Sequence, residues 1–263
     1  NNSGFDILGN FQNLIPYQNN VLLNIVTCVL IFFGGIGFLV IREMLAKRCR
    51  WKRFSMHTKV VLSVSLALIV AGTLLIKLTE DVSWLGAFFH SVSARTAGFS
   101  TYSLGEFSDA GLLAIIVLMF IGASPGSTGG GIKTTTMFIL VKKAVSTVFN
   151  GNCTAYKREI PENVVTKSFM VFLLAIAVIF IGTFAVCMME PDFTFEQILF
   201  EVVSGFSTTG FSTGITPELC DGSKVVLSAA MFTGRVGPLT LATIWLSRAK
   251  PQISYSQEEI NIG

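Results

Sequence analysis

Three short polar segments, each built on Gly-Phe, recur along a chain that is otherwise strongly apolar. "SVSARTAGFST" ends at Thr101 and "VSGFSTTGFST" ends at Thr213; on their glycines, Gly98 aligns with Gly210, Phe99 with Phe211, Ser100 with Ser212 and Thr101 with Thr213. The opening "NNSGFD" puts Gly4 and Phe5 on the same pair, with Asp6 where the others carry serine. The register continues downstream. "MFIGA" aligns with "MFTGR", and Gly98 to Gly122 spans 24 positions, as does Gly210 to Gly234. "IFFGG" follows the first turn after a loop six residues longer, since Gly4 to Gly34 is 30. A repeat of this kind requires a fold assembled from copies of one supersecondary unit.

The solvent of that fold follows from composition. Hydrophobic residues make up 51% of the chain and charged residues 13%, against about 25% charged in soluble domains. The net charge of +3 does not point to nucleic acid, and the five cysteines form no CxxC pair, so they read as small apolar residues. About 20 apolar residues cross a bilayer. Residues 21–41, 60–78, 164–189 and 225–246 meet that length, and 111–141 would if a polar stretch did not interrupt it. Five spanning segments are expected, the third discontinuous. "WLGAFFHSV" and "FEQILFEVV" are too short to span and suit re-entrant half-helices.

Charge sets the orientation. Arg42, Lys47, Arg48, Arg50, Lys52, Arg53 and Lys59 lie between the first two spans, Lys142, Lys143, Lys157, Arg158 and Lys167 between the third and fourth, and Arg248 and Lys250 after the last. The remaining connections are acidic, with Glu80, Asp81, Glu106, Asp109, Glu190 and Asp192 among them. Basic loops stay cytoplasmic, so the half-helices face outward.

Each unit therefore reads as a spanning helix, a re-entrant helix, a polar turn and a second spanning helix. The first copy begins inside its turn, so the chain is expected to be the C-terminal part of a longer protein. Polar non-helical backbone at membrane depth must be buried in protein or line a water-filled path. A half-helix followed by a glycine-centred turn can present carbonyls in place of a cation's hydration shell. One turn offers too few of them, which gives the repeat a purpose.

"TAGFST"-type turns together with "SPGSTGGGIKTTT", "GRVGPLTLATIW" and the "EEINIG" ending resemble the ion-translocating subunits of the Ktr/Trk/HKT superfamily of potassium transporters, the Ktr branch in particular. The resemblance implies an all-α polytopic membrane protein, with tandem helix–pore-loop–helix repeats around a pseudo-fourfold ion pore and one inner helix interrupted by an intramembrane gating loop. On that scheme residues 1–59 close the second repeat, 60–163 form the third, and 164–263 form the fourth with a cytoplasmic tail. The implied filter residues are Asn2, Ser3 and Gly4, then Thr96, Ala97 and Gly98, then Thr208, Thr209 and Gly210. The transported ion is expected to be potassium, with sodium stimulation. A sodium-conducting relative of the same fold is the alternative, which the filter of the first repeat would discriminate. The resemblance also implies a homodimer on a cytosolic ring of RCK-type nucleotide-binding subunits. It implies no cofactor in this chain, ATP or ADP acting only through that partner. The host is expected to be bacterial and the site the cytoplasmic membrane. Residues 42–59 and 251–263 are the candidate contacts.

The family's gating loop falls on the interrupted span. Gly122, Ser124, Pro125, Gly126, Ser127, Thr128, Gly129, Gly130 and Gly131 make a polar, pliable segment, with Lys133 after it. A segment of this kind can hinder ions or move aside. It is not a phosphate-binding loop, because Ile132 separates Gly131 from Lys133. Arg235 lies inside the last span, where an unpaired cation costs at least ~2.5–3.5 kcal/mol. Its repeat equivalents are Gly35 and Ala123. We expect it to bond the 126–131 loop and hold it closed. Arg95 and Glu201 are expected to brace the third and fourth turns from behind. No Ser–His–Asp, Ser–Lys or metal cluster recurs at membrane depth, so an intramembrane enzyme is not the expected reading.

Overall fold

A computed structural model describes residues 2, 4, 9, 12–149 and 151–243. The chain runs α1 (Val21–Ile36), α2 (Phe38–Ala46), α3 (Met56–Thr79), α4 (Trp84–Ser93), α5 (Asp109–Phe120) and α6 (Thr134–Val148), then β1 (Thr154–Ala155) and β2 (Arg158–Glu159). It continues through α7 (Glu162–Met189), α8 (Phe195–Ser207), α9 (Asp221–Val236) and α10 (Pro238–Thr243). Helix starts follow local chemistry. The side chains of Asn20, Ser55, Ser83 and Ser108 each accept an amide of the following first turn. Thr194 and Gln197 form a reciprocal capping box on α8.

The long and short helices exchange the places that soluble proteins would give them. Helices α3 and α7, with 24 and 28 residues, are long and apolar enough to cross a membrane, yet only seven and six of their residues are buried. Helix α4 buries seven of its ten residues and α8 nine of its thirteen. The short helices form the core, and the long ones turn apolar side chains such as Leu66, Leu78, Phe180 and Phe184 outward. That is the arrangement a lipid solvent allows, because exposed apolar side chains cost nothing there.

Two expected spans are not continuous helices. The 21–41 segment breaks at Gly37 (φ +86°), where α1 and α2 meet at a bend of 97°. The 225–246 segment breaks at Gly237 (φ +95°), between α9 and α10; residues 244–246 lie outside the described set. Hydropathy reports whether side chains tolerate lipid, and says nothing of helix continuity. Gly37 and Gly237 occupy the backbone region that only glycine enters cheaply. Both sit three residues after an aligned glycine, Gly34 and Gly234, so they are equivalent to Pro125 in the copy with the interrupted helix.

On the basic side, β1 and β2 pair through Tyr156 and Lys157, both with positive φ, as a two-residue hairpin turn requires. The Tyr156 hydroxyl donates to Ser63 Oγ at 2.9 Å, and its ring stands against Lys59 and Trp51. The two basic connections are thereby joined.

Candidate ion pathway

The three Gly-Phe turns converge. Two positions in each turn, Asn2 and Gly4, Thr96 and Gly98, Thr208 and Gly210, have positive φ between +50° and +87°. Left-handed residues recur at every second position, the kind of alternation that aligns peptide groups on one side of a turn. The turns also touch in order. A Cβ on Gly4 would run into the Ala97 carbonyl oxygen, and a Cβ on Gly98 into that of Thr209. Glycine is required there twice over, by its backbone angle and by the neighbouring turn. Gly4, Gly98 and Gly210 line one outer cavity of about 540 Å³. Ser3 lies outside the described residues, as does Asp6. Thr96, Ala97 and Thr209 are buried.

Helices α4 and α8 each end just before a turn, so their partially negative C-termini are aimed at it. Side chains then hold each turn from behind. Ser93 Oγ donates to the Phe99 carbonyl at 2.5 Å, and Ser204 Oγ to the Phe211 carbonyl at 2.6 Å. Glu201 accepts from Ser212 Oγ (2.6 Å), the Thr213 amide (3.0 Å) and Thr216 Oγ1 (2.8 Å). In the third turn buried His90 bonds the Gly86 carbonyl and Ser100 Oγ. Arg95 donates to the Ser65 carbonyl and Oγ in α3.

Below the turns the interrupted helix forms a closed loop. Ile121 bridges to Ile132, the Thr134 amide donates to the Ala123 carbonyl, and Ser124 Oγ bonds Thr134 Oγ1 at 3.0 Å. Gly122 is at this neck, where a Cβ would meet the Gly130 carbonyl. The far end of the loop rests on the turns. The Gly130 amide donates to Thr208 Oγ1 at 2.8 Å, and a Cβ on Gly129 would strike the Thr96 side chain. Ser127 makes a local turn, its amide donating to the Ser124 carbonyl and its hydroxyl accepting from the Gly129 amide.

The helix breaks explain what anchors the loop. A helix C-terminus leaves its last four carbonyls without intrahelical partners. Ending α1 at Ile36 frees those of Gly34 and Gly35. The Ser124 amide donates to Gly35 at 3.0 Å, and the Thr128 amide and hydroxyl both approach Gly34. In return the Phe38 amide donates to the Gly126 carbonyl, and Gly37 faces the Pro125 carbonyl. Two cations hold the other side. Arg235 Nη1 donates to the Thr128 carbonyl, and Lys133 Nζ to the Gly129 carbonyl at 2.6 Å. Reading the residues one by one misses the Gly37 and Gly237 breaks. The signal for them is the repeated G-x-x-G of "GGIG" and "GRVG".

A family model described as TrkH, cation transport protein, matches residues 57–257. "Ktr system potassium uptake protein B" of Vibrio alginolyticus is 34% identical over all of this chain and 60% of its own length. "Potassium/sodium uptake protein NtpJ" of Enterococcus hirae is 36% identical over all of this chain and 61% of its own. The chain thus spans about 60% of the length of these relatives. Among solved structures, the potassium transporter TrkH of Vibrio parahaemolyticus superposes with a TM-score of 0.70 at 18% identity, covering 86% of this chain and 52% of that one. With the family match over 57–257 and apolar helices of membrane-crossing length, the chain is an integral protein of the cell membrane and belongs to the TrkH family of cation transport proteins.

Proposed function

We propose that this chain forms most of a channel-like pathway for potassium uptake. Cations are selected by backbone carbonyls of the turns at Asn2–Ser3–Gly4, Thr96–Ala97–Gly98 and Thr208–Thr209–Gly210. The loop from Gly122 to Gly131, held by Arg235 and Lys133, gates them. The observation that carries this reading is the convergence of Gly4, Gly98 and Gly210 on one cavity, each turn packed against the next. The names of the Ktr relatives support potassium as the ion. The second reading, sodium carriage on the same scaffold, is favoured by the relative named for potassium and sodium uptake.

The loop lies directly beneath the turns, bonded to Thr208 above and to carbonyls of α1 at its side. Moving it means breaking a small set of hydrogen bonds rather than repacking a core, which suits a gate. A homodimer on a cytosolic ring of RCK-type subunits, through which ATP or ADP would act, completes the proposal. Exposed Arg48, Arg50, Lys52 and Arg53 beside the β1–β2 hairpin are the contacts we assign to that ring; residues 251–263 lie outside the described set.

Rubidium influx into liposomes carrying the whole protein, with sodium as competitor, tests both readings. Influx that survives excess sodium is the expected result. Influx abolished by sodium would transfer the assignment to sodium carriage. Absence of any cation flux, with and without a cytosolic nucleotide-binding partner, would remove the proposal.

A further inference from the structure

The third turn has a neighbour that the repeat does not supply. Asn13 stands in the loop that makes the first copy six residues longer than the others, with a left-handed backbone at φ +50°. Its Nδ2 donates to the Gly98 carbonyl oxygen at 3.2 Å, across 85 positions of sequence. The next amide, Leu14, donates to the Ser100 carbonyl at 3.0 Å, so the loop is bonded along the turn on both sides of Phe99. Among the described residues, no side-chain donor reaches the carbonyl of Gly4 or Gly210 in the same way. Asn13 lines the outer cavity with all three glycines, and its Oδ1 is buried there without a hydrogen-bond partner.

The carbonyls beyond Gly98 and Gly210 are already committed, Phe99 to Ser93 and Phe211 to Ser204. The Gly98 carbonyl, next inward from Phe99, is not held by the helix behind it, and Asn13 holds it from the front. A carbonyl that accepts an amide proton is restricted in direction and offers a cation a weaker field. Sodium, the smaller ion, needs its oxygens to close in further than potassium does. We propose that Asn13 is a positioning residue for ion selection, fixing the Gly98 carbonyl so that it cannot follow sodium inward. This rests on reading the turns as a filter.

The test compares the whole protein with Asn13→Gly and Asn13→Asp in the liposome assay, measuring the sodium concentration that halves rubidium influx. Glycine keeps the left-handed backbone and removes the donor. Aspartate keeps the shape and replaces the donor with an acceptor. Losing one such hydrogen bond predicts a fall in that concentration of about three- to tenfold in both variants. A merely structural role would change total flux and leave this ratio alone. Variants that conduct with unchanged sodium sensitivity would overturn the inference and leave the filter reading standing. A parent protein that conducts no cation would remove the filter reading and the inference with it. If the glycine variant does not assemble, the aspartate variant decides.

Discussion

The copies around Gly98 and Gly210, third and fourth on the expected scheme, carry the same plan to different ends. In both, an acid beyond the outer helix grips the start of the inner one. Glu80 accepts from the Ser108 amide (3.0 Å) and hydroxyl (2.6 Å) at the start of α5, and Glu190 from the Cys220 amide (2.7 Å) at the start of α9. Both inner helices then break, α9 after Val236 and α5 four repeat positions earlier, after Phe120. In the fourth this is a single glycine, Gly237, after which α10 begins at once. In the third it opens into the loop that ends at the Ile121–Ile132 bridge. The break thus belongs to the repeat, and the loop is an elaboration of it. The plain breaks in the neighbouring copies supply what the loop needs: free carbonyls at Gly34 and Gly35, and Arg235 two residues before Gly237.

The turns differ as well. A carboxylate with at least three donors braces the fourth, and an imidazole with two partners braces the third. The largest expected effect tests that contrast. Glu201→Ala removes the acceptor shared by Ser212, the Thr213 amide and Thr216, leaves the two hydroxyls only each other, and costs about 1–3 kcal/mol for the Thr213 amide left unpaired. His90→Ala strands fewer. Thermal unfolding in detergent should show the Glu201 variant losing more stability, and equal losses would break the contrast.

Next in size is the loop's hold on Arg235. A hydrogen bond to a charged group contributes about 1.5–3 kcal/mol, so Arg235→Ala should raise rubidium flux by about tenfold or more if the loop is the barrier. Unchanged flux would separate the loop from gating.

Smaller again is a comparison of the two plain breaks. Alanine at either glycine meets backbone strain of about 1–3 kcal/mol. Gly37→Ala would also drive a Cβ to 2.5 Å from the Pro125 carbonyl oxygen, whereas at Gly237 the nearest atom is Thr240 Oγ1 at 3.7 Å. Gly37→Ala should therefore release the loop, read as faster labelling of a cysteine placed at Ser127, while Gly237→Ala should not. Equal labelling would show that α1 does not anchor the loop.

The smallest effect concerns pH. The Cys220 amide bonded to Glu190 holds that carboxyl below its ordinary value. A lowered folded pKa contributes stability above the unfolded value, about 4.3, and loses it as pH falls through the folded one. Glu190→Gln should slightly lower the unfolding temperature at pH 7 and flatten its decline below pH 4. A parallel decline in parent and variant would count against it.

Much of the repeat could be read from spacing alone. Equal intervals from Gly98 to Gly122 and from Gly210 to Gly234 align two copies before any coordinates are known. Apolar length and basic loops separate the membrane-crossing segments from their connections. The short stretches at Trp84 and Phe195 form α4 and α8, the second running four residues further than its apolar pattern, to Ser207. Helix continuity was not legible in the same way. Residues 21–41 are apolar but for Asn24 and Thr27, and a hydropathy window cannot register a glycine whose φ is positive. The loop's partners were also out of reach, since Gly34, Gly35 and Thr208 act through backbone or hydroxyl groups that carry no signal in a pattern of residue types.

By itself the sequence determined the solvent, the copy number of the visible turns and the residue types at each turn, because these depend on composition and local spacing. Only the tertiary structure decided where the inner helices break, which carbonyls those breaks release, and that Asn13 reaches Gly98. Each depends on groups far apart in the chain meeting within hydrogen-bond distance. That meeting is set by how the copies pack, and no single segment encodes it.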